Sequence, residues 1–208
     1  MAKSGSLSIN SENIFPIIKK WLYSDHDIFY RELISNGCDA ITKLKKLEMM
    51  GEWEKPEDME FKIQVTVNPE EKTIIVEDNG MGMTEDEVDE YINQIAFSGA
   101  EEFLEKYKNQ SIIGHFGLGF YSAFMVADKV EIITRSYQEN SKTMEWSCDG
   151  SPEYTMQEAK KQRDRGTDII LHLSEDSLEF NDAARIREIL KKHCSFLPVP
   201  IAFGKIKE

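Results

Sequence analysis

From residue 61 to residue 173 the sequence repeatedly alternates apolar with polar side chains in short runs, most of them separated by hairpin-length turns, a pattern that predicts a largely antiparallel sheet. Phe61-Lys62-Ile63-Gln64-Val65-Thr66-Val67 sends every second side chain to one face, Asn68-Pro69 turns the chain, and a second strand follows over Thr73 to Glu77. Further strands are expected over Lys129 to Arg135, Lys142 to Cys148, Glu153 to Gln157 and Thr167 to Leu173. A last short one is expected near Ile201 to Phe203, beyond Pro198 and Pro200.

Helical spacing is concentrated in the first half. Phe15 to Leu22 predicts one helix, and Asp25 to Met50 a longer one with a stripe at Leu33, Gly37, Ala40, Leu44 and Leu47. Thr84 can cap a further helix, with Glu87 closing a capping box. Ala100 to Lys108 and the apolar Phe120 to Ala127 are also helical in spacing, and Asp182 to Phe196 is amphipathic. The fold class expected is α+β: a two-layer sandwich in which helices cover one face of a mostly antiparallel sheet and leave the other mostly solvated. With no repeat or linker, residues 1–208 are expected to form a single domain.

Composition narrows the partners. No apolar run approaches the roughly 18 to 20 residues of a membrane span, and Met1-Ala2-Lys3-Ser4-Gly5-Ser6 lacks an apolar signal core, so a cytoplasmic location without membrane contact is expected. Cys38, Cys148 and Cys194 are too scattered for a disulfide framework or a Cys-x-x-Cys metal site. A formal charge of -13 disfavours an extended nucleic-acid surface.

Four elements can carry chemistry. Glu32, Asn36 and Asp39 lie four and three residues apart, so they share one helix face, where oxygen ligands suit Mg²⁺ and a carboxylate can activate water; alone, they also fit a solvated polar face. Asp78 precedes Gly80, Gly82 and Met83 at a strand end, where a carboxylate can accept from a heteroaromatic amino group while glycines let the ring lie against the backbone. An ordinary tight turn has the same sequence. Gly114, Gly117 and Gly119 open onto a helix and so suit an anion, although no Walker or Rossmann pattern is present. Gly166-Thr167 heads a strand whose hydroxyl could reach a ligand.

In this order, a helix with Glu-x-x-x-Asn-x-x-Asp, a strand ending Asp-x-Gly-x-Gly, a Gly-x-x-Gly-x-Gly loop and a Gly-Thr strand resemble the ATP site shared by gyrases, mismatch-repair MutL proteins, histidine kinases and heat-shock chaperones. Asp27 to Asn36, Ile95-Ala96-Phe97-Ser98-Gly99 and Gly114 to Ala127 resemble the ninety-kilodalton heat-shock branch, over nearly the whole chain. The resemblance implies a Bergerat-type ATP-binding fold and an ATP-hydrolysing module of a chaperone that acts on client proteins. By it, Glu32 matches the residue that activates water, Asn36 the Mg²⁺ holder and Asp78 the adenine reader. Asp39, Ala40, Gly82, Met83 and Thr167 fall on the adenine pocket, Ser98 and Gly99 on the nucleotide-binding start of a lid over about 98–114, and Gly117, Leu118, Gly119 and Phe120 on the phosphate loop. Phe97, Tyr91 and His115 depart from the lysine, asparagine and glutamine common at those positions.

The resemblance further implies a middle domain that supplies an arginine to the γ-phosphate and a dimerisation domain, neither of which these residues contain. The expectation is therefore slow hydrolysis, a monomer here and a homodimer in a longer protein. The alternatives are a histidine kinase domain, a gyrase-like or MutL-like ATPase, and a nucleotide-sensing interaction module without turnover.

Overall fold

The alternating segments become strands whose burial follows the alternation, as in Ile63 to Asn68, where Ile63, Val65 and Val67 are buried and the residues between them are not. The computed structural model describes residues 3–6, 27–94, 119–151 and 153–205. In chain order the elements are β1 (Lys3–Ser6), α1 (Ile28–Met49), β2 (Ile63–Asn68), β3 (Thr73–Asp78), α2 (Glu85–Val88), a π-helical stretch Asp89–Gln94 and a 3-10 helix Phe120–Met125. There follow β4 (Ala127–Arg135), β5 (Met144–Cys148), β6 (Glu153–Glu158), β7 (Gly166–Leu173), a 3-10 helix Glu175–Asn181, α3 (Ala183–Cys194) and β8 (Ile201–Lys205). The helices expected over Phe15 to Leu22 and Ala100 to Lys108 lie outside the described residues.

The strands form one sheet in the order β1-β6-β5-β4-β7-β3-β2-β8. Every pairing is antiparallel except β2 with β8, which run parallel. Cross-strand register stacks the core in rows, one of which runs Val76, Ile169, Ile132, Trp146 and Met156 across β3, β7, β4, β5 and β6. These side chains share one core cluster with buried residues of α1, the 3-10 helices and α3, and among the described residues Trp146, Tyr30, Tyr121, Phe29 and Phe180 are the largest fully buried groups. Phe29 packs edge-on to Phe180 at 5.2 Å between ring centres, and Phe120 to Trp146 at 5.6 Å. Together these features bear out the α+β class, with helices on one face of a mostly antiparallel sheet.

Several elements differ in detail from expectation. The buried stripe of α1 runs through Leu33, Ile34, Gly37, Cys38, Ile41 and Leu44, while Ala40 and Leu47 are only half-buried, because the helix turns its 34–38–41 edge to the sheet. Phe120 to Met125 is a 3-10 helix in place of the short α-helix expected: all six side chains are buried, and β4 begins at Ala127 without room for another turn. β1 was not expected, having no alternating apolar residues; it pairs antiparallel with β6 at the sheet edge. The capping box forms as expected, with Thr84 accepting from the Glu87 amide at 3.2 Å and the Thr84 amide donating to Glu87 at 2.7 Å. Among the described residues no helix is long and apolar enough to cross a membrane. The three cysteines are free and buried.

Candidate functional site

The α1 helix organises the site because two other motifs press against its backbone. Asp78 is the last residue of β3 and lies beside Gly37: a Cβ added there would sit 3.2 Å from that of Asp78. One turn on, Gly80 meets the helix at Ala40 and Ile41, where an added Cβ would come within 2.6 Å of the Ala40 carbonyl carbon. The Met81 amide donates to the Ala40 carbonyl at 3.3 Å, which pins the turn. Gly82 has φ +62, and a Cβ there would fall 1.8 Å from the Arg135 carbonyl oxygen, so no other residue fits.

One turn towards the N-terminus, Glu32 is buried on the same helix, and a Cβ added at Gly119 would stand 2.7 Å from its Oε2. Position 119, where the glycine loop enters the 3-10 helix, is therefore in contact with the Glu32 carboxyl. Burial raises the affinity of that carboxyl for its proton, against a smaller opposing pull from Arg31. Asn36 and Asp39 are exposed, and Ala40 is half-buried between them and the turn. The helix thus carries Glu32 near Gly119 at one end and Gly37 to Ala40 near Asp78 at the other.

Asp78 is almost fully buried and its Oδ1 accepts from the Gly80 amide at 2.8 Å. Burial pushes its carboxyl up to about 7, while the Gly80 amide, the Arg163 guanidinium and the Thr167 amide pull the other way. Thr167 stands directly opposite Asp78 in register, and Thr134 opposite Thr167 on the other side. The two threonine hydroxyls are 2.9 Å apart, and Thr134 Oγ1 also accepts from the Met83 amide at 3.0 Å and lies 3.2 Å from the Gly166 carbonyl. If Thr134 donates to that carbonyl and accepts from Met83 and Thr167, the lone pairs of Thr167 remain to receive a ligand.

The predicted residues Glu32, Asn36, Asp39, Ala40, Asp78, Gly82, Met83, Gly119 and Thr167 therefore fall on one connected stretch of structure. Phe120 begins the 3-10 helix next to Gly119, and its ring is buried in the core edge-on to Trp146. Ser98, Gly99, Gly117 and Leu118, with the 98–114 segment, Phe97 and His115, lie outside the described residues. Tyr91 is largely exposed on the π-helical stretch. Next to it Asn93 is buried, accepts from the Trp146 indole at 2.9 Å and donates to Asp89 at 2.7 Å, tying that stretch to the sheet.

Sequence reasoning missed Thr134 and Arg163. Thr134 was legible in principle: it shares inward parity with Val130 and Ile132, so its hydroxyl had to be buried and partnered. Arg163 was not, since its partner Asp78 lies 85 residues away.

Among the described residues no group of three or more His, Cys, Asp or Glu side chains could hold a metal ion by itself.

The family model for histidine kinase-, DNA gyrase B- and HSP90-like ATPases matches residues 29–177. The chain is 56% identical over 210 residues to the chaperone protein HtpG of Porphyromonas gingivalis, covering 100% of this chain and 30% of that protein. It is 58% identical over 208 residues to HtpG of Bacteroides thetaiotaomicron, covering 99% of this chain and 30% of the relative, and 38% identical over 200 residues to that of Desulfitobacterium hafniense, covering 93% and 32%. The chain thus spans 30% of the length of the more similar of these relatives. Matched from the start of α1 through β7 and alike in sequence over its full length, the chain belongs to the histidine kinase-, DNA gyrase B- and HSP90-like ATPases, as an ATPase domain of the HSP90 branch.

Proposed function

We propose that this domain binds ATP or ADP between Asp78 and Glu32 and hydrolyses ATP slowly, as the nucleotide-driven part of a cytoplasmic chaperone acting on client proteins. The observation that carries the reading is the contact of one helix, α1, with both the Asp78 turn and Gly119. In this reading the adenine amino group donates to Asp78, with Gly82, Met83 and Thr167 lining the ring and Asp39 and Ala40 completing the wall. Gly117, Leu118, Gly119 and Phe120 give main-chain amides to the phosphates. Ser98 and Gly99 begin a lid over about 98–114 that closes on the nucleotide.

Mg²⁺, when bound, supplies charge neutralisation on the phosphates, and the Asn36 amide oxygen would hold it. Glu32, raised by burial and one turn from Asn36, orients and deprotonates the attacking water. Slow hydrolysis by this domain alone follows if the arginine for the γ-phosphate comes from a middle domain of a longer, dimeric protein, whereas this domain alone would be monomeric.

Calorimetric titration with ATP and ADP, with and without Mg²⁺, tests the reading. Binding of both nucleotides, tightened by Mg²⁺, is expected; no binding at millimolar concentration would overturn it. Glu32→Ala should leave ADP affinity within about twofold while lowering single-turnover hydrolysis at least about 100-fold, since its role lies in the reaction step and not in holding the nucleotide. An equal loss of affinity and rate in that variant would remove Glu32 from the catalytic role.

The same pocket serves histidine kinases and DNA-acting ATPases. The HtpG relatives favour the chaperone reading over both.

A further inference from the structure

We propose that Arg163 is a positioning residue for adenine recognition, holding the end of β3 from the far side of the sheet so that the Asp78 carboxylate meets the amino group; this rests on the role given to Asp78 above. Arg163 stands on the loop before β7, and all three of its guanidinium nitrogens are engaged. Nη2 donates to the main-chain carbonyl of Asp78 at 2.8 Å, Nε donates to the Arg165 carbonyl at 3.0 Å, and Nη1 meets the Asp168 carboxylate. Its own carbonyl accepts from Arg135 Nη1 at 3.0 Å. The guanidinium reaches Asp78 through space that a side chain at Gly166 would fill: a Cβ there would lie 2.2 Å from the Asp78 carbonyl oxygen and 3.0 Å from Nη2.

Asp168 follows Thr167 in β7, so its side chain points to the opposite face from the site, where it pairs in register with Glu77. It is 2% exposed and is also reached by Lys161 at 3.1 Å. The ion pair thus lies behind the row formed by Asp78, Thr167 and Thr134. A buried pair of this kind adds little net stability, because desolvation of both charges offsets their attraction. What it does fix is geometry: the forked guanidinium sets the carbonyl of Asp78 relative to β7, while the Gly80 amide sets its carboxyl.

Charge acts along the same line. Arg163 favours the ionised Asp78 carboxyl. Among the described residues, the other charged or titratable groups near them are the Cys38 thiol of α1 with Asp39 beside it, and Glu77, Asp164 and Arg165 around the guanidinium, with Asp58 lining the same cavity; β2 presents the apolar Ile63. A carboxylate accepts a stronger hydrogen bond than a carboxylic acid. Adenine binding should therefore tighten as pH rises through the ionisation of Asp78, and Arg163 sets where that happens.

The test is ADP titration between pH 6 and 8.5 on the 208-residue chain, on R163M/D168N, on R163K and on D78N. The double variant removes both buried charges together, and D78N supplies the baseline for the nucleotide's own ionisation. R163M/D168N is expected to bind about tenfold more weakly at pH 7, with the Asp78-dependent midpoint raised by about one pH unit. R163K should keep the parent's midpoint and bind about threefold more weakly, retaining the charge without the fork. A parent-like affinity and midpoint in R163M/D168N overturns the proposal, as does a loss that is equal at every pH. If the double variant fails to fold, parent-like affinity in R163K overturns it. Absence of ADP binding by the parent instead refutes the adenine site itself, independently of Arg163.

Discussion

Asp78→Asn should weaken ADP binding by about 2 to 4 kcal/mol, at least tenfold in affinity. The substitution keeps shape and leaves the Gly80 amide its acceptor, since the asparagine carbonyl can take that bond at the 2.8 Å seen now. The side-chain amide then faces the adenine amino group, donor against donor, at a largely buried position. Calorimetry measures the loss directly, and unchanged affinity would place purine recognition elsewhere. The same variant should change the nucleotide-free protein in the other direction. Asp78 has its folded-state value raised to about 7 from an ordinary 3.8, so its protonated form stabilises the fold below pH 4 and that stability is lost as pH climbs through 7. The asparagine variant lacks this loss, and above pH 7 it should melt no lower than the parent. A variant that both melts early and binds weakly would indicate damage to the fold in place of a missing hydrogen bond.

Gly82→Ala should lower stability by at least about 3 kcal/mol, roughly 6 to 12 °C in melting temperature for a domain of this size. Two effects add. The left-handed backbone, φ +62, disfavours any side chain, and the new methyl would stand 1.8 Å from the Arg135 carbonyl oxygen, a backbone atom that cannot swing away. Relief requires the Asp78–Met83 turn to move off β4, which also breaks the bond from Met83 to Thr134. Gly51→Ala is the matched control: φ is +73 there, but nothing lies within 4 Å of the added atom, so only the backbone term of about 1 kcal/mol is expected. Equal melting shifts in the two variants would show that the close approach at Gly82 contributes nothing.

Most strands and the long helix were legible because burial on one face imposes a period, and a period survives in the sequence. Ile63, Val65 and Val67 announce β2, and Thr84 with Glu87 announces a helix start, through interactions only a few residues long. What escaped depended on partners far along the chain. β1, made of Lys-Ser-Gly-Ser, exists by hydrogen bonding to β6 and has no apolar signature of its own. The parallel pairing of β8 with β2 likewise follows from where α3 delivers the chain.

The site divides in the same way. Glu32, Asp78, Gly82 and Thr167 could be put forward from the sequence only because their motifs occur together in one order; each alone also fits a solvated helix face, a tight turn or a strand start. Thr134 and Arg163 act on those residues across strands and could be assigned only once the register of β3, β7 and β4 was known. Helical spacing places Leu33 and Gly37 on one stripe, and both are buried, yet the role of Gly37 in admitting Asp78 appears only in the packing.

If four distant stretches of chain line one nucleotide cavity, NMR titration of the labelled domain with ADP and Mg²⁺ will report all of them at once. Main-chain amides at Asn36 and Gly37, at Gly80 to Met83, at Gly119 and Phe120, and at Thr167 should shift together along one binding isotherm, while those of Lys3 to Ser6 and Glu175 to Asn181 stay fixed. Shifts confined to the glycine loop, with the amides around Asp78 unmoved at saturation, would contradict it.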